Sequence, residues 1–184
     1  SAGPGPGPLP TGITGSNTVS YWLPAGLGGF YGMAMIGTGE NDSRAPNRDD
    51  GNFAGARIGF ASGAFDIAAA VTRTHFDATA AIGNYTHANI GASWDAGFAK
   101  FFALYNRVTV KLAGGTVRKG TTEIGAHIPA FEVGRIRLSY AHLDDRSDDS
   151  LRNANGTPRS RDDARQVGNG HVHNLSKRTA LYAT

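Results

Sequence analysis

No cysteine occurs in the 184 residues. That excludes a disulfide framework, a thiolate metal site and a thiol nucleophile. No apolar run approaches the ~18 residues that a spanning helix needs, and mean hydropathy is negative. Both points argue against a helical membrane protein. A membrane barrel escapes the argument, because its strands are half polar by construction. Charge of one sign is not concentrated either. Lys and Arg number 18 against 15 Asp and Glu, a net +3. The cations are scattered rather than clustered, so there is no nucleic-acid footprint. Neither a G-x-S-x-G elbow nor an HExxH helix is present. The GLGGFYG stretch, Gly26 to Gly32, lacks the third glycine of a dinucleotide loop and no helix follows it. Nothing supports an enzyme or a cofactor.

Glycine, by contrast, is abundant at 26 residues, about twice the usual ~7 %. Gly and Pro dominate the first sixteen residues (GPGPGPLP), which cannot form a helix interior or a central strand. Residues 1–15 are expected to be a lead-in to a body running from 16 to 184. The chain opens on Ser1 with no charged-then-apolar leader, which suggests a mature or truncated product.

The clearest signal lies in VGRIRLSYAH, Val133 to His142. Ile136, Leu138 and Tyr140 share one phase of a two-residue period. Arg135, Arg137, Ser139 and Ala141 share the other. A strand sends alternate side chains to opposite faces, so this ribbon has one oily side and one wet side. Similar alternation recurs over Thr18–Leu23, Gly29–Gly37, Phe53–Ser62, Phe65–Arg73, Tyr85–Trp94, Ala99–Arg107, Thr122–Ile128, Ala164–His173 and Arg178–Thr184. About ten strands and no helix are expected.

The connections also carry information. Short turns are expected near residues 25, 63, 96, 130 and 176. Long polar loops are expected near 45, 79, 114 and 154, including a Gly- and Lys-bearing loop over Val108–Gly120. Strands of roughly ten residues with short turns at one end and long loops at the other predict an all-β, antiparallel up-and-down transmembrane barrel, here about ten strands of an incomplete one. Soluble sandwiches have shorter strands and do not sort their connections by end. Two other readings fit the pattern: a soluble or surface-anchored β-sheet binding module, and a non-conducting membrane-barrel anchor or adhesin.

Arg57, His87, Lys100, Glu123, Arg135 and Arg137 occupy the wet phase of their strands. In a barrel they would line the bore, and lumenal arginines would favour anions. Each is equally well explained as an ordinary solvated residue. Tyr21, Trp22, Trp94, Tyr105 and Tyr140 are candidates for the aromatic girdles at the membrane borders, with plain sheet packing as the simpler explanation. His171 and His173 have an i, i+2 spacing that can chelate a metal, but no third ligand is apparent, so no metal is expected. Asp144, Asp145, Asp148 and Asp149 cluster in a long loop. A divalent ion bridging lipopolysaccharide phosphates is conceivable there, but the calcium-loop pattern is missing and a solvated loop is the better reading.

Several stretches resemble a known family. HNLSKRTALYAT resembles the penultimate hairpin of Gram-negative general porins of the trimeric, sixteen-stranded betaproteobacterial type. SNTVSYWLPAGLGGFYGMAM is similar to the two strands after the constriction loop of that family. NIGASWDAGFAKFFALYNR and VGRIRLSYAH sit where the family has similar hairpins. The resemblance covers Ser16 to Thr184. It implies an outer-membrane channel for passive diffusion of small hydrophilic solutes and ions, set in a lipid bilayer with lipopolysaccharide and assembled as a homotrimer. It also implies a fragment, strands six to fifteen, with residues 1–15 standing where the constriction loop should end. GPGPGPLP does not look like that loop. A second departure is Asn169, His171 and His173, in a phase that the family fills with aliphatic and Tyr residues.

Overall fold

The computed structural model describes residues 17–42, 44–79, 81–130, 134–153, 156–158, 161–176 and 179–183. The expected 1–15 lead-in and Val133, the first residue of the VGRIRLSYAH stretch, lie outside them. Ten strands form one sheet: β1 (Thr18–Trp22), β2 (Phe30–Gly37), β3 (Phe53–Ser62), β4 (Phe65–Thr74), β5 (Asn84–Asp95), β6 (Lys100–Leu112), β7 (Gly115–Ala130), β8 (Gly134–Asp145), β9 (Ala164–Asn174) and β10 (Ala180–Ala183). Each pairs antiparallel with its sequence neighbours, in the order β1 to β10. β1 pairs with β2 and β10 with β9, and among the described residues the two edges do not pair with each other, so the sheet they form is open.

Turn chemistry fixes the registers at one end. Gly63 takes φ 56° between Ser62 and Phe65, which pair across the turn. Gly97 takes φ 83°, and its N–H donates to the Asp95 carboxylate at 2.9 Å. Such left-handed backbone costs glycine nothing. At the other end, residues 38–52, 75–83 and 146–163 make the long connections.

The expected loop over Val108–Gly120 is not there. β6 runs to Leu112 and β7 starts at Gly115, with Leu112 pairing Gly115 across Ala113–Gly114. Valines and threonines in both arms sustain the ladder, and Val110 pairs Val117. The following segment docks on this hairpin. The Arg146 and Asp148 N–H groups donate to the Arg118 and Thr116 carbonyls. Tyr85, Val117 and Leu151 are buried at this end.

Little else is buried. Cross-strand registers place Ile36, Ile58, Ile67, Ile90, Ile124 and Leu138 on one face, and all are well exposed. A contiguous apolar face of this size cannot stay against water. An apolar outward band is what a membrane barrel presents to lipid.

Candidate functional site

The opposite face carries the polar groups. On β6–β8, Lys100 pairs His127 and His127 pairs Arg137, so three basic side chains form one cross-strand row. Arg135, two residues before Arg137, points the same way. Lys100 Nζ lies 5.6 Å from the Phe102 ring centroid, and that ring meets His127 edge-on at 4.6 Å. Lys100, Arg135 and Arg137 carry fixed positive charge along this row, with His127 as a polar neighbour between them. Like charges gathered this way repel one another and favour an anion.

A second group forms on β2–β4. Gly59 sits opposite Tyr31, and a Cβ there would collide with the Tyr31 ring. The missing side chain lets the ring lie across the sheet. Its hydroxyl donates to Asp66 at 2.5 Å, and the Arg57 guanidinium sits 5.1 Å from its centroid. Arg57 and Asp66 thus share one aromatic spacer. Glu123, paired with Leu104 and Ala141, completes the charged set. Tyr31, Arg57, Asp66, Asn89, Glu123 and His127 line a hollow of about 570 Å³ on this face. His87 stands nearer the long loops, 3.4 Å from the Asn106 amide oxygen.

All six residues expected on the wet face therefore share it, but only Arg57 and Glu123 line the hollow. Tyr31, Asp66 and His127 were not singled out. The strand alternation places them in the same phase as the others, so the signal was available.

Four of the five girdle candidates lie on the apolar face: Tyr21, Trp94, Tyr105 and Tyr140. Trp22 does not. It follows Tyr21 directly, so it points the other way and falls in the row of Met33 and Arg57. The aromatic border at the short-turn end consists mainly of phenylalanines. Phe65, Trp94 and Phe101 stack at 5.9 and 5.8 Å, and Phe30 packs on Phe60 at 4.9 Å. His171 and His173, ring centroids 6.2 Å apart, take up this border on β9.

The aspartate cluster is tied down rather than simply solvated. Asp144 pairs with Arg146 at 2.6 Å, Asp145 with Lys119 at 3.5 Å, Asp148 with Arg118, and Asp149 with Arg161 at 2.7 Å. The Thr116 N–H donates to Asp148, and with Arg118 it holds that carboxyl below the ordinary aspartate range. Among the described residues, one set of metal-type side chains converges: Asp50, His75 and Asp77, with ligand atoms within 4.8 Å of one another. The Asp77 N–H already donates to Asp50 at 2.6 Å, so hydrogen bonding accounts for part of that convergence.

Residues 5–184 match the model of the Gram-negative porin family. The chain belongs to that family. The porin chain is 28 % identical over 179 residues to outer membrane porin protein 32 of Delftia acidovorans, covering 97 % of itself and 47 % of that protein. Its fold superposes on the solved anion-selective porin from Comamonas acidovorans with TM-score 0.74 at 27 % identity, covering 91 % of this chain and 47 % of that one. A loop-deletion mutant of the outer membrane protein OmpT of Vibrio cholerae shares the fold alone, with TM-score 0.66 at 13 % identity over 90 % of this chain and 54 % of that one. The porin chain spans about half the length of the curated relatives it matches. Family membership places it in the outer membrane of a Gram-negative bacterium.

Proposed function

We propose that the polar face lines a water-filled bore through which small hydrophilic solutes and ions diffuse passively, with anions favoured. The observation that carries this reading is the Lys100–His127–Arg137 row with Arg135 beside it. Its charge is not balanced on that row except by Asp95, which pairs Lys100 in the register and also caps its own turn. Of the other two acids, Asp66 is engaged by the Tyr31 hydroxyl. Fixed positive charge beside a bore raises the local anion concentration and lowers that of cations. The relative described as anion-selective supports the same sign. A soluble binding module would have to cover the apolar face, and this lowers that reading. A homotrimer belongs to the same proposal.

The test is a chimera in which this chain replaces the matched half of the Delftia acidovorans porin, recorded in planar bilayers under a KCl gradient. The reversal potential is expected to report chloride preference. Lys100→Gln with Arg137→Gln is expected to shift it by several-fold in permeability ratio toward neutrality. A chimera whose potential does not move in the double variant would remove these residues from the pore.

A further inference from the structure

On the apolar face, each strand leaves its belt at a definite residue. Above Phe65, β4 presents Ile67, Ala69 and Val71, then Arg73. Above Phe101, β6 presents Ala103 and Tyr105, then Arg107. β8 presents Leu138 and Tyr140, then His142, whereas β9 presents His171 and Asn169, a single apolar Val167, then Arg165. At ~3.3 Å per residue, the rise from the aromatic border to the basic residue is about 26 Å on β4 (Phe65 to Arg73) and about 20 Å on β6 (Phe101 to Arg107), close to the ~25 Å band of a membrane barrel. The border at the long-loop end is therefore basic, where the short-turn border is aromatic.

Between β6 and β8 this border holds a hollow of about 330 Å³, lined by Tyr105, Arg107, Arg118, His142, Asp144 and Arg146. Gly120 makes room for it. A Cβ there would come within 3.2 Å of the Tyr105 hydroxyl. Two of the three arginines are already matched, Arg118 by Asp148 and Arg146 by Asp144. Among the described residues Arg107 makes no ion pair, nor do Arg73 and Arg165. Arg107 is exposed and directed to the lipid side. An unmatched guanidinium at the edge of hydrocarbon seeks an anion, and its planar fork suits a phosphate.

The geometry points to a seat for the phosphate of a membrane lipid headgroup in this hollow, with Arg107 as its principal contact. Arg73 and Arg165 continue the contact along the border. The ligand is a lipid rather than a free anion, because the hollow opens above the apolar belt and its acyl chains would run down over Ala103, Ile124 and Tyr140. This inference rests on reading that face as the lipid-facing one.

The test uses the full 184-residue chain refolded in detergent and native mass spectrometry of retained lipid. Phosphatidic acid is compared with diacylglycerol of the same chains. Retention of phosphatidic acid is expected to exceed that of diacylglycerol by about tenfold. Arg107→Gln is expected to abolish most of that preference, Arg107→Lys to keep part of it, and Arg44→Gln, in the loop after β2, to leave it intact. Arg165→Gln gives a smaller loss and serves as the variant if Arg107→Gln does not refold by circular dichroism. Equal retention of both lipids, or an unchanged preference in the refolded variant, would overturn the inference. So would displacement by an equal concentration of inorganic phosphate, which would mark a site for free anions. The assay needs no conductance, so a failure of the pore reading leaves it standing, and the reverse.

Discussion

Ala68 and Ala69 are neighbours in β4 and chemically identical, yet they belong to different solvents. Ala68 lies between Gly59 and Gly91 and lines the polar hollow. Ala69 lies between Ile58 and Ile90 on the apolar face. What sets their roles is the register, because a strand's period of two assigns each side chain a face whatever its type. A residue in this molecule is therefore tolerant or intolerant of charge according to its parity.

The sharpest way to break that comparison is to place the same charge at both positions. Ala69→Arg puts a guanidinium in the middle of the belt and is expected to cost about 2–4 kcal/mol of stability in lipid. Ala68→Arg enters a wet hollow that already holds Asp66 and Glu123 and is expected to cost little. Urea titration of both variants in vesicles reads the difference, and equal losses would mean that the two faces do not differ in solvent. A smaller contrast compares rings. Trp94 stacks on both Phe65 and Phe101 at the belt border, so Trp94→Ala is expected to lose about 1–3 kcal/mol from two aromatic contacts. Phe102→Ala, on the polar face, loses one ring contact, with His127, and a cation contact with Lys100 that is weak where exposed, and should cost less.

The smallest effect concerns pH at the long-loop end. The Asp148 carboxyl is depressed by the Thr116 N–H and Arg118. A depressed carboxyl contributes stability above its unfolded value and loses it as pH falls through its folded value. Exchange protection of the Thr116 amide should therefore persist through the ordinary aspartate value of 3.8 and fall only below it. Protection that is lost above that value would show that the carboxylate does not hold this segment.

Ten strands were legible because their apolar residues keep one parity across the belt. The β6–β7 hairpin was misread where that parity reverses. On β6, Phe101, Ala103 and Tyr105 are odd-numbered and face the apolar side. Past Arg107 the apolar residues Val108, Val110 and Leu112 are even-numbered. Above the belt the outer side meets headgroups and water, so it turns polar. The inner side is covered by its own loops, where Tyr85, Val117 and Leu151 are buried. A reader expecting a single phase sees a loop where the strand has only changed environment. Trp22 was misassigned for a simpler reason, since adjacent aromatics cannot share a face. The Tyr31–Arg57–Asp66 group was not seen as a group, because its members meet only through cross-strand pairing that a linear pattern does not display.

The strictly sequential order of the sheet bears on how it forms. Among the described residues each strand from β2 on pairs with the one made just before it, so none of these nine pairings waits for a distant segment. Each hairpin closes a loop of modest length, and loop-closure entropy grows only as the logarithm of that length. The sheet can therefore grow like a zipper, one hairpin per step. Lengthening the 38–52 or 146–163 connections would slow a single step slightly and leave the rest of the sequence of events unchanged.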